Sequence, residues 1–204
     1  MKIGIIGHGH VGKALAGRWL AAGHQVIFGV RHKQDSGTQD LSHEISGADV
    51  LSIENVASAV KVILIATPAH VAVEVAQKLG DLAGKTVIDA TNALKQRPEP
   101  YKNTFEVFRE ITGADMAKCF NTTGYENLAN PNYGSTTVDM FVAGSSTKAK
   151  EEASALARDA GFENVYDFGG DDKVEAIEAL AFAWINLAVM QSQGRNIAFK
   201  VLKR

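Results

Sequence analysis

Short apolar runs of strand length alternate along this chain with stretches whose apolar residues recur at helical spacing. Residues 3–6 read as a buried strand. Val11, Ala14, Leu15, Trp19 and Ala22 then fall on one helical face, which ends at Gly23. Residues 25–29 form a second predicted strand, and 31–47 are polar with little pattern. A weak third strand is expected near 50–53, followed by a helical turn after Glu54. Residues 62–66 give a fourth strand, and Pro68 suits the first turn of a helix reaching about Leu79.

The alternation continues to the far end. Residues 86–90 predict a fifth strand, 104–111 a helix and 118–120 a short sixth strand. Another strand is expected at 140–143, then a helix opened by Thr147 and closed by Gly161. Residues 165–168 read as the last strand. Asp172, with Glu175 three residues on, resembles the capped start of a final helix through about Met190. The tail 195–204 fits strand or helix equally.

Such a pattern demands a mostly parallel sheet with helices on both faces, so the predicted fold class is α/β, a doubly wound Rossmann arrangement. The Gly-, Asn- and Pro-rich stretch 122–137 offers the natural boundary. It would divide a dinucleotide-binding domain, 1–130, from a smaller C-terminal α/β lobe, 131–204.

Composition narrows the function. The 204 residues are 46% apolar and 22% charged, with a net charge of −2. No basic stripe is present to track phosphates, which argues against nucleic acid as the main ligand. The single cysteine, Cys119, forms no intramolecular disulfide and fits a reducing cytoplasm. No leader is evident before the first strand. The longest apolar run, 179–190, is too short to span a bilayer and contains Asn186. It is apolar nearly all round and therefore suits a core or a dimer interface. A cytoplasmic protein without a membrane segment is expected.

Candidate chemistry begins where the first strand meets the first helix, at Gly7-His8-Gly9-His10-Val11-Gly12. In that context the GxGxxG spacing is a dinucleotide fingerprint. Gly7 would permit the tight turn, Gly9 the close approach of a pyrophosphate and Gly12 helix–strand packing. Backbone N–H groups around His10 and Val11 would meet the phosphates at the positive end of the helix. The second strand then lacks the acid that would accept a ribose 2′-hydroxyl. It is followed instead by Arg31, His32 and Lys33, which favour the 2′-phosphate of NADP(H).

Ligands of open parallel sheets bind outside the carboxyl ends of the strands. There the chain carries Ala66, Thr67 and Pro68, then Thr91 and Asn92, then Asn121 and Thr122. Small hydroxyls and amides at these positions suit a ribose and a carboxamide. No acid–base dyad stands out. His70 is a weak candidate for a general acid, and Lys95 a weaker one. Hydride passing directly between two rings needs no such group, only their positioning.

Several motifs together resemble the NADP oxidoreductases that use 8-hydroxy-5-deazaflavin. They are GHGHVG at 7–12, GVR at 29–31, IDATNAL at 88–94, KCFNTTGYENLANP at 118–131, GFENVYDFGG at 161–170, EALAFAWINLA at 178–188 and the GRNIAFKVLKR ending. The resemblance implies a Rossmann domain with a small C-terminal lobe, often a homodimer, with the two cofactors stacked across a cleft. It places Gly7, Gly9, His10 and Val11 at the pyrophosphate and Arg31 at the 2′-phosphate. Thr67, Pro68 and Asn92 would lie near the nicotinamide, and Asn121 and Thr122 near the acceptor. Two positions depart from the family: Val30 replaces a common hydroxyl residue, and Ala93 replaces a proline. The chain is also similar to the cytosolic portion of six-transmembrane metalloreductases.

Three functions follow. The leading one is an NADP(H)-dependent enzyme that moves hydride to or from a small-molecule acceptor, a deazaflavin or flavin. A carbonyl or imine reductase with His70 as acid is the second, and a non-catalytic NADP(H) redox sensor the third.

Overall fold

A computed structural model describes residues 1–31, 41–93 and 97–204 of the chain. Among them, the central sheet has six parallel strands in the order β3-β2-β1-β4-β5-β6. These are β1 (Lys2–Ile6), β2 (Gln25–Val30), β3 (Asp49–Ser52), β4 (Val62–Ile65), β5 (Thr86–Asp89) and β6 (Asp115–Lys118). The order reverses at β1, so β1 and β4 flank a crevice at their carboxyl ends, where such sheets bind nucleotides. The predicted Rossmann arrangement is the one observed.

Helices cover both faces because the inner strands are apolar on both sides. One face packs on α1 (His10–Ala21) and α7 (Thr147–Asp159), with Trp19 and Leu156 in a shared core. Trp19 Nε1 donates to the carbonyl of Leu156 at 2.9 Å, which satisfies the indole where it is buried. The opposite face packs on α3 (Ile53–Ala59), α4 (Ala72–Leu79), α5 (Thr104–Thr112) and α8 (Val174–Ile185). Two short helices, α2 (Leu41–Glu44) and α6 (Tyr125–Ala129), complete the set.

The C-terminal elements join the sheet at its far edge. Lys118 N donates to the Ala143 carbonyl at 2.8 Å, and Ala143 N donates back at 3.1 Å. This bridge ties β6 to β9 (Met140–Val142), which pairs in parallel with β10 (Val165–Asp167). A two-residue hairpin, β7 (Asn132–Tyr133) and β8 (Thr136–Thr137), occupies the Gly/Asn/Pro-rich stretch.

Two expectations need correction. The sixth strand ends at Lys118 instead of starting there. Lys118 is fully buried and breaks the apolar run, while Phe120 takes a left-handed φ of 67° that leaves the sheet. The seventh helix opens at Thr147 as expected, and Ser146 caps it, its hydroxyl accepting from Ala149 N at 3.2 Å. The final helix starts at Val174, after a 3₁₀ turn over Asp171–Lys173, with no side-chain cap. Asp171 instead accepts from Ser145 N at 2.7 Å and pairs with Arg109 at 2.9 Å. The helix then widens into a π turn, Asn186–Met190.

The tail 195–204 is neither strand nor helix. Side chains tie it down: Trp184 Nε1 and Asn127 Nδ2 both donate to the Ile197 carbonyl, at 2.7 and 2.8 Å. Asp139 accepts from Val201 N and from Lys200 Nζ, each at 2.7 Å. The apolar run 179–190 is divided. Ala181, Trp184 and Ala188 are buried, whereas Phe182, Leu187, Val189 and Met190 are exposed. No described helix is long and apolar enough to cross a membrane.

Candidate active site

A cleft of about 600 Å³ opens at the carboxyl ends of β1, β2, β4 and β5. Its floor is the turn after β1, where Gly7 has a φ of +111°. A Cβ there would sit 2.4 Å from the Ala66 carbonyl oxygen, so the turn and the end of β4 can touch only through glycine. A Cβ at Gly12 would lie 2.0 Å from the Gly7 carbonyl oxygen, which fixes how closely α1 approaches the loop. Around Gly9 there is open space, and no side chain caps the start of α1. The free N–H groups of that first turn and its dipole make an anion site.

Gly7, His8, Gly9 and Val11 line the cleft from the loop, and Arg31 from the end of β2. Ala66, Thr67, Pro68 and His70 line it after β4, and Thr91 and Asn92 after β5. His32 and Lys33, named beside Arg31, lie outside the described residues, as does Lys95. Gly12 packs behind the loop. His10 turns away from the cleft: its ring stacks on Tyr125 at 4.4 Å between centroids, with the planes 18° apart. Arg195 lies over the same Tyr125 ring at 5.2 Å and is hydrogen-bonded to Glu126. Burial pushes the Glu126 carboxyl up, but the bond and charge of Arg195 outweigh this and hold it below the usual range.

Asn121 and Thr122 stand just outside the cleft. Asn121 reaches it through Asn92: each donates its amide N–H₂ to the other residue, Asn92 to the Asn121 carbonyl at 3.0 Å and Asn121 to Asn92 Oδ1 at 2.9 Å. Among the described residues, Thr67 Oγ1, Asn121 Oδ1 and Thr122 Oγ1 are buried without a hydrogen-bond partner. Orphaned polar atoms of this kind are rare in a core, and those at a strand end suit a ligand's donors.

Behind this end of the cleft lies a buried charge cluster that the sequence reading missed. Lys118 Nζ donates to Asp89 Oδ2 at 2.9 Å and to Glu178 Oε1 at 2.7 Å. Thr104 Oγ1 donates to the same Asp89 oxygen at 2.6 Å, and Thr91 N to Asp89 Oδ1 at 2.9 Å. Burial works to lower the Lys118 pKa, but the two carboxylates together outweigh it and hold the ammonium charged. A usable signal was present in the chain. Charged residues ending otherwise apolar, doubly covered strands require partners, and Asp89 and Lys118 are register neighbours on β5 and β6. Cys119 is buried beside this cluster, and burial pushes its thiol pKa up, away from reactivity.

Residues 2–93, the glycine loop through the fifth strand, match the family model described as NADP oxidoreductase, coenzyme F420-dependent. That match covers the first five strands of the sheet and the glycine loop, and it agrees with the NADP-dependent oxidoreductase class read from the sequence. Among characterised relatives, the rat (Rattus norvegicus) metalloreductase STEAP3 is 28% identical over 183 residues, which cover 88% of this chain and 36% of that protein. The chain thus spans about a third of the length of this relative. Among solved structures, a candidate F420-dependent NADP reductase from Arthrobacter sp. FB24 superposes with a TM-score of 0.85 at 23% identity, each chain covered in full. A reductive aminase from Aspergillus terreus, solved with NADPH4, cyclohexanone and allyl amine, gives a TM-score of 0.66 at 18% identity. That match covers 94% of this chain and 62% of the aminase. At these identities the structural likeness establishes the fold.

Proposed function

We propose that this chain transfers hydride between NADPH and a flavin-like acceptor, a deazaflavin or a flavin, directly from ring to ring. One observation carries the reading. A single cleft joins an open phosphate loop, an arginine at the end of β2, and a small-residue floor after β4 and β5. Gly7, Gly9 and the first turn of α1 would hold the pyrophosphate, and Arg31 the 2′-phosphate. Thr67, Asn92 and, through Asn92, Asn121 would orient the carboxamide. A bound nicotinamide supplies the hydride. The chain's own residues position the two rings and shield them from water, since among the described residues the titratable side chains lining the cleft make no buried acid–base pair. Mixing the protein with NADPH and either FMN or a deazaflavin should bleach nucleotide absorbance. Tight NADPH binding with no turnover on either acceptor would overturn the acceptor assignment and favour the redox-sensor reading.

A second reading, reduction of a carbonyl or imine, draws on the fold shared with the reductive aminase and on His70, which lines the cleft. It requires His70 as the proton donor. The exposed Phe182, Leu187, Val189 and Met190 support a homodimer built on the end of α8 and the π turn after it, which light scattering would show at twice the monomer mass. The same reading keeps a nucleotide-binding domain at 1–130, a smaller lobe at 131–204 and a cytoplasmic setting.

A further inference from the structure

The ion cluster behind the cleft is an unusual use of buried charge. Lys118 has no exposed surface, and burying an ammonium with two carboxylates contributes little stability over an apolar core of similar volume. Its geometry shows what it holds. Asp89 ends β5, and its two oxygens divide their tasks. Oδ2 is anchored by Lys118 and by Thr104 on α5, while Oδ1 accepts the backbone N–H of Thr91. Thr91 is further tied to Thr104 by a hydroxyl–hydroxyl hydrogen bond. Thr91 and Asn92 form the cleft wall after β5, and Asn92 is locked to Asn121. The second carboxylate, Glu178, comes from α8, far along the chain.

From this connectivity we infer that Lys118 is a positioning residue for the nicotinamide end of the cleft. It fixes the Asp89 carboxylate between β5, β6 and α8, and Asp89 sets the Thr91–Asn92 turn against which the nicotinamide ring lies. The inference rests on the NADP(H) reading above. It goes beyond that reading in giving the C-terminal helix α8 a part in shaping the site, through Glu178. Among the described residues, none of the cluster's side-chain hydrogen bonds reaches the adenosine end at the glycine loop and Arg31. The two ends of one ligand should therefore respond differently to its removal.

The test compares two probes, NADPH and adenosine 2′,5′-bisphosphate, which lacks the nicotinamide half, on the full chain. Lys118→Met should weaken NADPH binding at least tenfold, about 1.4 kcal/mol, and leave the bisphosphate within about twofold. Thr104→Val and Glu178→Gln are near-isosteric and decide the matter in the same direction, with smaller losses, if Lys118→Met does not fold. Parallel loss of both probes in the folded variants would show general damage, and no loss of either would show an idle cluster. Each result overturns the inference. Wild-type protein that binds neither probe would overturn the NADP(H) reading itself, an outcome visible before any variant is made.

Discussion

The two ends of the cleft are built on different principles. At the end proposed for the phosphates the working parts are backbone: a turn that only Gly7 can make, a helix start that only Gly12 lets approach, and uncapped N–H groups. At the end proposed for the nicotinamide they are side chains, held by the Asn92–Asn121 pair and the Asp89–Lys118–Glu178 cluster. A backbone site is encoded locally, within the six residues 7–12. A side-chain site of this kind draws on β5, β6, α5 and α8 and exists only once the fold has brought them together. The comparison predicts that damage at the first end is steric and at the second electrostatic.

The largest expected effect is on stability at the second end. Lys118→Met leaves the Asp89 and Glu178 carboxylates buried without their cation and should cost about 3–5 kcal/mol, measured by urea unfolding. Replacing the cluster at once by Asp89→Asn, Lys118→Met and Glu178→Gln should recover much of that loss, because no charge is then stranded. At the first end Gly12→Ala should cost about 1–3 kcal/mol by overpacking and displace the loop, with NADPH affinity falling alongside. A Gly12→Ala protein of unchanged stability would contradict the packing account.

His70→Ala sharpens the comparison from the chemical side. With direct ring-to-ring transfer, the turnover rate should change by less than about threefold. A fall of two orders of magnitude or more would favour the carbonyl or imine reading.

The smallest effect is electrostatic and concerns the tail. Arg195 lowers the folded-state pKa of Glu126, so its contribution is present above the unfolded carboxylate pKa, about 4.3, and is lost as pH falls through the lower folded value. Arg195→Gln should therefore be slightly less stable than wild type at neutral pH, by under about 1 kcal/mol for so exposed a pair. The gap should close as the medium is acidified below that carboxylate value. A gap that widens on acidification would contradict the ion-pair account.

The same contrast explains what the amino-acid sequence disclosed. Alternation of apolar runs and helical faces was enough to reveal the doubly wound sheet, because parallel strands covered on both sides need continuous apolar residues. The GHGHVG loop was legible because its chemistry is a spacing. The sixth strand was displaced toward Phe120 because its most informative residue, Lys118, is a charge inside the core. The start of α8 was mistaken because Asp172 and Glu175 have the spacing of a cap, yet Asp171 bonds to the neighbouring Ser145 backbone and Arg109. His10 was read as a phosphate-loop residue, and its ring proves to belong to a stack with Tyr125 and Arg195, residues more than a hundred positions away in the chain. Nothing local encodes such partners.

The central claim is that Arg31, at the end of β2, makes this an NADP(H) site despite Val30 beside it. It is tested most directly by titrating the protein with NADPH and with NADH at one fixed salt concentration, before and after Arg31→Ala. The account predicts at least a tenfold preference for NADPH, about 1.4 kcal/mol, most of which disappears in the variant. Equal binding of the two nucleotides by the wild type, or a preference that survives Arg31→Ala, would contradict it.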